Sequence, residues 1–114
     1  MNINSKLERN ILILMPQGRI DYDSADAFSA ALQPHLDECK EDGTALILDF
    51  SGVEYISSVG LRVLMLAARQ VKAQNGRIAI AALSTVVKEV FEISRFNMVY
   101  KIYDSVNEAM EGVS

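Results

Sequence analysis

Few residues of this chain carry groups that could do chemistry: His35, Cys39, the Asp21/Asp23 pair, and two adjacent serines, Ser57 and Ser58. His35 is the only histidine and follows Pro34 in a helical pattern, with no Ser-His-Asp arrangement around it, so it reads as a surface or packing residue. Cys39 has no second cysteine to form a redox pair or a zinc site. Gly18 and Gly60 stand alone, so no Gly-rich phosphate loop is present. Asp21 and Asp23 would need a cleft to act as a general acid and base; their ordinary roles are loop hydrogen bonding and helix capping, bordering a docking surface at most. The residues therefore point to a protein that is not an enzyme and that uses no cofactor and no metal.

The serines are different. They lie in Ile56-Ser57-Ser58-Val59-Gly60-Leu61-Arg62, where a strand gives way to a long amphipathic helix. A serine there can cap the free N–H groups of the first helical turn. It can equally carry a phosphate, because a helix N-terminus favours negative charge and Arg62, one turn on, can reach it. Such a modification would leave the fold intact and place roughly −1.5 to −2 charges on the surface. On a helical wheel Leu61, Leu64, Ala68 and Val71 face inward, with Met65 on the flank. Ser58, Arg62 and Arg69 share an outward arc with Val59, Val63 and Leu66. Aliphatics beside arginines describe either a docking surface or a face covered by a neighbouring helix.

The elements that must position these residues alternate along the chain. Residues 3–8 and 11–17 read as a hairpin joined by a tight Arg9-Asn10 turn. Gly18 to Asp21 leads to a first helix over 24–39, capped by Asp23, with Phe28, Leu32, Leu36 and Cys39 inward and a kink or break expected at Pro34. Strands follow over 45–50 and 77–82. The helix between them, 58–74, is stopped by Asn75-Gly76. A third helix over 86–94 is capped by Ser84 or Thr85, and a strand at 99–103 and a helix at 106–110 end the chain. The pattern predicts one α/β domain over 1–114: a mixed, mostly parallel sheet of about five strands with an N-terminal hairpin, and about four helices.

Composition narrows the partners. Half the 114 residues are hydrophobic and only 7% aromatic, which suits an aliphatic core able to fold without disulfide or metal. A net charge of −4 argues against nucleic acid as a partner. The first residues lack the pattern of a signal peptide, and the longest apolar runs, at 11–16 and 63–68, are too short to span a bilayer. With a single cysteine, a cytoplasmic location without membrane insertion is expected.

Several segments, taken in order, resemble the STAS domain family, and most closely its anti-sigma factor antagonists. Gly18-Arg19-Ile20-Asp21 resembles the family's Gly-x-hydrophobic-Asp segment. Leu46 to Phe50 with Val53-Glu54-Tyr55-Ile56 resembles the central strand and its following loop, and Ala82 to Phe91 the strand and helix beyond. Ser57-Ser58-Val59-Gly60-Leu61 is similar to the Asp-Ser-Ser/Thr-Gly-Leu phosphorylation motif. The resemblance makes Ser58 the phosphoacceptor. Ser57 stands where the family has Asp and is a second candidate, while Val59 replaces another hydroxyl.

The implied function is partner switching. The unphosphorylated protein binds an anti-sigma factor that is also a serine kinase with a histidine-kinase-like ATPase fold, and so frees the sigma factor. Phosphorylation of Ser58 releases the complex, and a PP2C-type phosphatase restores it. The partner-binding surface would comprise Asp21, Asp23, Ser57, Ser58, Val59, Gly60, Arg62, Leu66 and Arg69, with Gly60 bare so that a kinase can approach the backbone. Alternative roles for such a domain are a subunit of an ABC-type lipid-transport complex and a sensor of nucleotides or small molecules.

Overall fold

A computed structural model describes residues 3–114. Strands β1 (Asn4–Glu8) and β2 (Ile11–Met15) form the expected antiparallel hairpin. Its two-residue turn places Arg9 and Asn10 at φ 54° and 62°. Positive φ at both central positions is the turn geometry whose twist matches that of the paired strands. The main sheet has five strands in the order β1-β2-β4-β6-β7, with β4 (Ala45–Asp49), β6 (Ile78–Ala81) and β7 (Lys101–Tyr103) parallel to β2. Four helices accompany it: α1 (Ala25–Glu38), α2 (Ser58–Ala73), α3 (Thr85–Ile93) and α4 (Val106–Val113). The expected α/β architecture is the one observed.

Alternation along the strands divides the core. Leu14, Leu46, Leu48 and Ile80 pack with Phe28, Leu32, Leu64 and Phe91 of α1, α2 and α3. Ile13, Ala45, Ile47, Ala79 and Ala81 face the other way, against Ala109, Met110 and Val113 of α4. A sheet buried on both faces needs near-continuous apolar strands, which is why β2 reads Ile-Leu-Ile-Leu-Met while the exposed edge strand β1 is polar. Within the larger core Phe91 meets Phe50 and Phe96 in T-shaped, edge-to-face pairs, at 6.3 and 5.5 Å between ring centroids.

Two short strands escaped the sequence pattern. β3 (Gly18–Ile20) and β5 (Val53–Ile56) pair in parallel as a separate two-stranded ribbon. The segments had read as a lead-in to α1 and as the loop after β4; three or four residues are too few for a periodicity to register. Of the kink or break expected at Pro34, the break does not occur: α1 continues through the proline. Its buried face, Phe28, Leu32 and Leu36, is docked on both sides of the proline, and Pro34 itself lies on the exposed side.

α1 and α2 are fastened to one another by polar side chains. Gln33 and Gln70 both donate to Asp37 Oδ1, at 2.8 and 2.9 Å, and these bonds hold the Asp37 carboxyl below its ordinary pKa. Gln74 Nε2 donates to the carbonyls of Leu36 and Cys39, so the end of α2 satisfies the end of α1. α2 stops where expected. Asn75 takes the left-handed conformation at φ 59°, and the Gly76 and Asn75 N–H groups return to the Val71 and Lys72 carbonyls. Ser84 caps α3 by accepting from Val87 N, and Ser105 caps α4 by accepting from Glu108 N.

Because Phe91 joins the three-ring cluster to the main core, Phe91→Ala is expected to destabilise the protein by about 3–5 kcal/mol. Urea unfolding followed by circular dichroism measures this. A loss below about 1 kcal/mol would mean that the site collapses around the deletion.

Candidate functional site

The first turn of α2 rests on the β3–β5 ribbon. Ile56 ends β5, and the next residue, Ser57, donates its N–H to the Ile20 carbonyl at the end of β3, 2.8 Å away. Ser57 has the extended backbone of an N-cap (φ −91°, ψ 174°), and its hydroxyl accepts from Gly60 N at 3.3 Å. Its carbonyl accepts the first helical bond, from Leu61 N at 2.9 Å. The cap is therefore Ser57, partly buried, and its hydroxyl is committed to the helix.

Ser58 is left over. It is exposed, and no hydrogen bond of this region engages its hydroxyl. The first turn of α2 holds no acidic residue, so the partial positive charge of the helix N-terminus is not offset by a carboxylate within that turn. Arg62, one turn on, is exposed too. Ser58, Arg62, Leu66 and Arg69 follow one another along a single outward face, and Leu66 keeps 50% of its surface exposed. Val59 and Val63 are half-buried on its flank, with Val63 packed against the core. The two open readings of this arc thus divide: Leu66 is free for a partner, and Val63 is partly covered from within. The inward stripe comprises Leu61, Leu64, Ala67 and Val71, and Ala68, expected in it, is half-buried against the same core.

Gly60 is placed differently from its expected position. It is buried, and a Cβ built on it would lie 2.7 Å from Ile56 Cγ1 and 2.8 Å from Ile20 Cγ2. The missing side chain lets α2 seat on the ribbon; it does not clear a surface for an approaching kinase. Among the residues expected to contact a partner, Gly60 acts from beneath.

Asp21 and Asp23 also separate. Asp21 and Ser24 bond reciprocally: Asp21 N donates to Ser24 Oγ at 3.0 Å, and Ser24 N to Asp21 Oδ1 at 3.3 Å. The N-cap position of α1 is Ser24, so the expected capping by Asp23 is corrected, and Asp23 points into solvent. Asp21 works because it precedes the turn by the spacing its short side chain can bridge. Arg19 completes this corner, with its guanidinium 4.6 Å from the centroid of the Tyr55 ring and Nε 3.6 Å from Asp21 Oδ2.

Tyr22, with 81% of its surface exposed, stands in the same loop, beyond the strand end that receives the Ser57 N–H. The sequence reading did not select Arg19, Tyr22 or Tyr55. Tyr22 carried a usable signal, as an aromatic set between two aspartates outside any amphipathic pattern. The described residues contain no cluster of His, Cys, Asp and Glu able to hold a metal, and none of their helices is long and apolar enough to cross a membrane.

The chain as a whole is similar to known proteins. The STAS domain model matches residues 2–109. The chain belongs to the STAS domain family. Among relatives, BtrV of Bordetella bronchiseptica, described as an anti-sigma factor antagonist, is 34% identical over 95 residues, covering 83% of this chain and 79% of BtrV. The anti-sigma-F factor antagonist RsfB of Mycobacterium tuberculosis is 27% identical over 104 residues, covering 90% of this chain and 81% of RsfB. The crystal structure of a Thermotoga maritima protein described as an anti-sigma factor antagonist superposes with a TM-score of 0.87 at 26% identity, over 97% of this chain and 93% of that one.

The division of labour between the serines is measurable in this STAS domain by chemical denaturation. Ser57→Ala removes the cap and should cost about 1 kcal/mol. Ser58→Ala should stay within about 0.5 kcal/mol of the parent, as for other surface positions. Gly60→Ala should cost about 1–3 kcal/mol, since Ile20 and Ile56 must move. Equal losses for both serines would contradict the assignment of the cap to Ser57.

Proposed function

We propose that this protein is an anti-sigma factor antagonist that works by partner switching, with Ser58 as its phosphorylation site. The observation that carries the reading is the unused Ser58 hydroxyl, exposed at a helix start that has no acidic residue in its first turn. The naming of relatives as anti-sigma factor antagonists supports the role. The protein acts as a ligand and a substrate; it is not the catalyst. It works in the cytoplasm, through its STAS domain.

In its unmodified form the face of Ser58, Arg62, Leu66 and Arg69 docks on an anti-sigma factor. Leu66 supplies an apolar anchor and the arginines a charged rim. Val59, Asp21, Asp23 and Tyr22 border this face, and Ser57 and Gly60 fix the height at which the helix start meets the partner. That partner is also the kinase, with a histidine-kinase-like ATPase fold. The Ser58 hydroxyl attacks the γ-phosphorus of ATP and gives up its proton, the bond to the bridging oxygen breaks, and ADP leaves.

The resulting phosphate is tolerated in the free protein, because a helix N-terminus favours negative charge and Arg62, one turn on, can reach it. In the complex it is a dianion within a closed interface, where desolvation and repulsion oppose binding by on the order of several kcal/mol. A PP2C-type phosphatase hydrolyses the ester and returns the hydroxyl. The switch thus changes surface charge and leaves packing alone.

Incubation with ATP and purified candidate kinases, followed by peptide mass analysis, should locate one phosphate on Ser58. Ser58→Asp should weaken the kinase complex by on the order of 2 kcal/mol or more while retaining the parent's unfolding midpoint. Phosphate on Ser57 alone, or a Ser58→Asp protein that binds like the parent, would refute the assignment. Leu66→Ala should weaken the same complex without altering phosphorylation of free Ser58 by excess kinase.

A further inference from the structure

The outer strand of the five-stranded sheet is β1, and among the described residues no strand pairs with its free side. Sheet edges of this kind are ordinarily blunted by a bulge, a proline or a covering segment. β1 pairs with β2 in unbroken register over its five residues, Asn4 to Glu8, and contains no proline. Asn4 to Leu7 are all exposed, and Leu7 keeps 66% of its surface open. We propose that this edge is an interface for a second copy of the chain, with the two β1 strands pairing antiparallel about a two-fold axis through Leu7.

The backbone decides which registers are open. The Arg9-Asn10 turn closes on Glu8 and Ile11, which in a two-residue hairpin form a hydrogen-bonded pair. Such pairs alternate along an antiparallel ladder. Asn4, Lys6 and Glu8 therefore turn their amides toward β2, and Ser5 and Leu7 turn theirs to the open edge. Pairing β1 with itself must set outward amides against outward amides, so the axis can pass through Ser5, Lys6 or Leu7. Charge selects among the three. Centred on Lys6, the pairing sets that ammonium against its own copy, which is unfavourable. Centred on Ser5, it faces Lys6 with the neutral Asn4. Centred on Leu7, it sets Lys6 of each copy opposite Glu8 of the other, at the positions where cross-strand side chains come closest.

Lys6 and Glu8 already pair within the strand, with Nζ 3.5 Å from Oε2 on an open surface. A second copy turns this exposed pair into a square of four alternating charges, and a network stabilises where a lone surface pair contributes little. The other face of the strand agrees. Leu7 lies opposite Leu12 of β2, which is half-buried against the larger core. On the axis the two Leu7 side chains meet, each extending a Leu7–Leu12 pair, and the two Leu7 residues exchange a pair of backbone hydrogen bonds. Because the same patch serves both copies, the contact closes at two and does not propagate. It belongs with interfaces below about 1,200 Å², so the dimer is reversible and forms at high concentration. No residue of the Ser58 face lies on β1, and each dimer presents that face twice.

Sedimentation equilibrium of the full chain, from about 10 μM to about 1 mM, should show a monomer–dimer equilibrium that weakens as salt rises. Lys6→Glu and Glu8→Lys should each lower the association constant about tenfold or more, since each sets like charges opposite one another. The two side chains are 64% and 42% exposed, so both variants should keep the parent's circular dichroism and unfolding midpoint. An equimolar mixture of the two variants should regain the parent's association, because opposite charges then face across the axis again. Neither of the other registers sets position 6 against position 8, so neither gives loss in both single variants. A parent that stays monomeric at about 1 mM overturns the proposal and leaves the edge to a strand of another protein or to none. Association beyond the dimer, association untouched by either single variant, or a mixture that stays monomeric would overturn it as well. Ser58 phosphorylation is read separately, so failure here leaves the switch standing.

Discussion

The seating of α2 on the β3–β5 ribbon governs the functional end of this molecule. Gly60 has no Cβ because Ile20 and Ile56 occupy its place, and the Ser57 N–H reaches the Ile20 carbonyl only at that close approach. The rotational setting of the helix about its axis follows. Once Gly60 faces the ribbon, Ser57 turns its hydroxyl toward the first helical turn, and Ser58, 100° further round an ideal helix, faces out. Arg62, Leu66 and Arg69 inherit the same outward direction at successive turns. Only a rotation of about 100°, one residue's worth, would exchange the serines' directions.

The rest of the fold holds that seat still. α2 is buried along Leu61, Leu64, Ala67 and Val71, tied at its far end to α1 through Gln70 and Gln74, and anchored midway by the Tyr100 hydroxyl, which donates to the Leu64 carbonyl at 2.7 Å. Burial raises the pKa of that phenol to well above its ordinary value, so the donor stays protonated throughout the physiological range. A helix so constrained does not need to move when its exposed start gains charge. On the proposed reading, the free energy of a phosphate on Ser58 would be expressed where the surface meets something else, which is the requirement for switching a partner without refolding the switch.

The same rigidity fixes what each end of α2 presents. The N-terminal end presents a hydroxyl and a helix dipole that welcome an anion after modification. The C-terminal end gathers cations whose neighbours are apolar side chains and other strands. One long helix carries both because its buried stripe fixes the faces of all its turns together.

Much of this was legible in the sequence. The Arg9-Asn10 turn, the apolar strands, the amphipathic period of α2, its stop at Asn75-Gly76 and the serine caps of α3 and α4 are local signals, each decided by residues within one or two turns of chain. The motif from Ser57 to Leu61 marked the candidate segment for the same reason. What local signals did not determine was the pairing of β3 with β5, since a three-residue strand exists only by virtue of a partner 35 residues away. Without that ribbon the burial of Gly60, the loss of Asp23 as a cap in favour of the Asp21–Ser24 pair, and the exposure of Tyr22 had no visible cause. The convergence of Arg77 and Lys101 beside α2 depended equally on strand order. The sequence by itself determined which residues were candidates for a switch; tertiary structure decided which serine caps and which is free, because that depends on the face a helix must bury against residues distant in the chain.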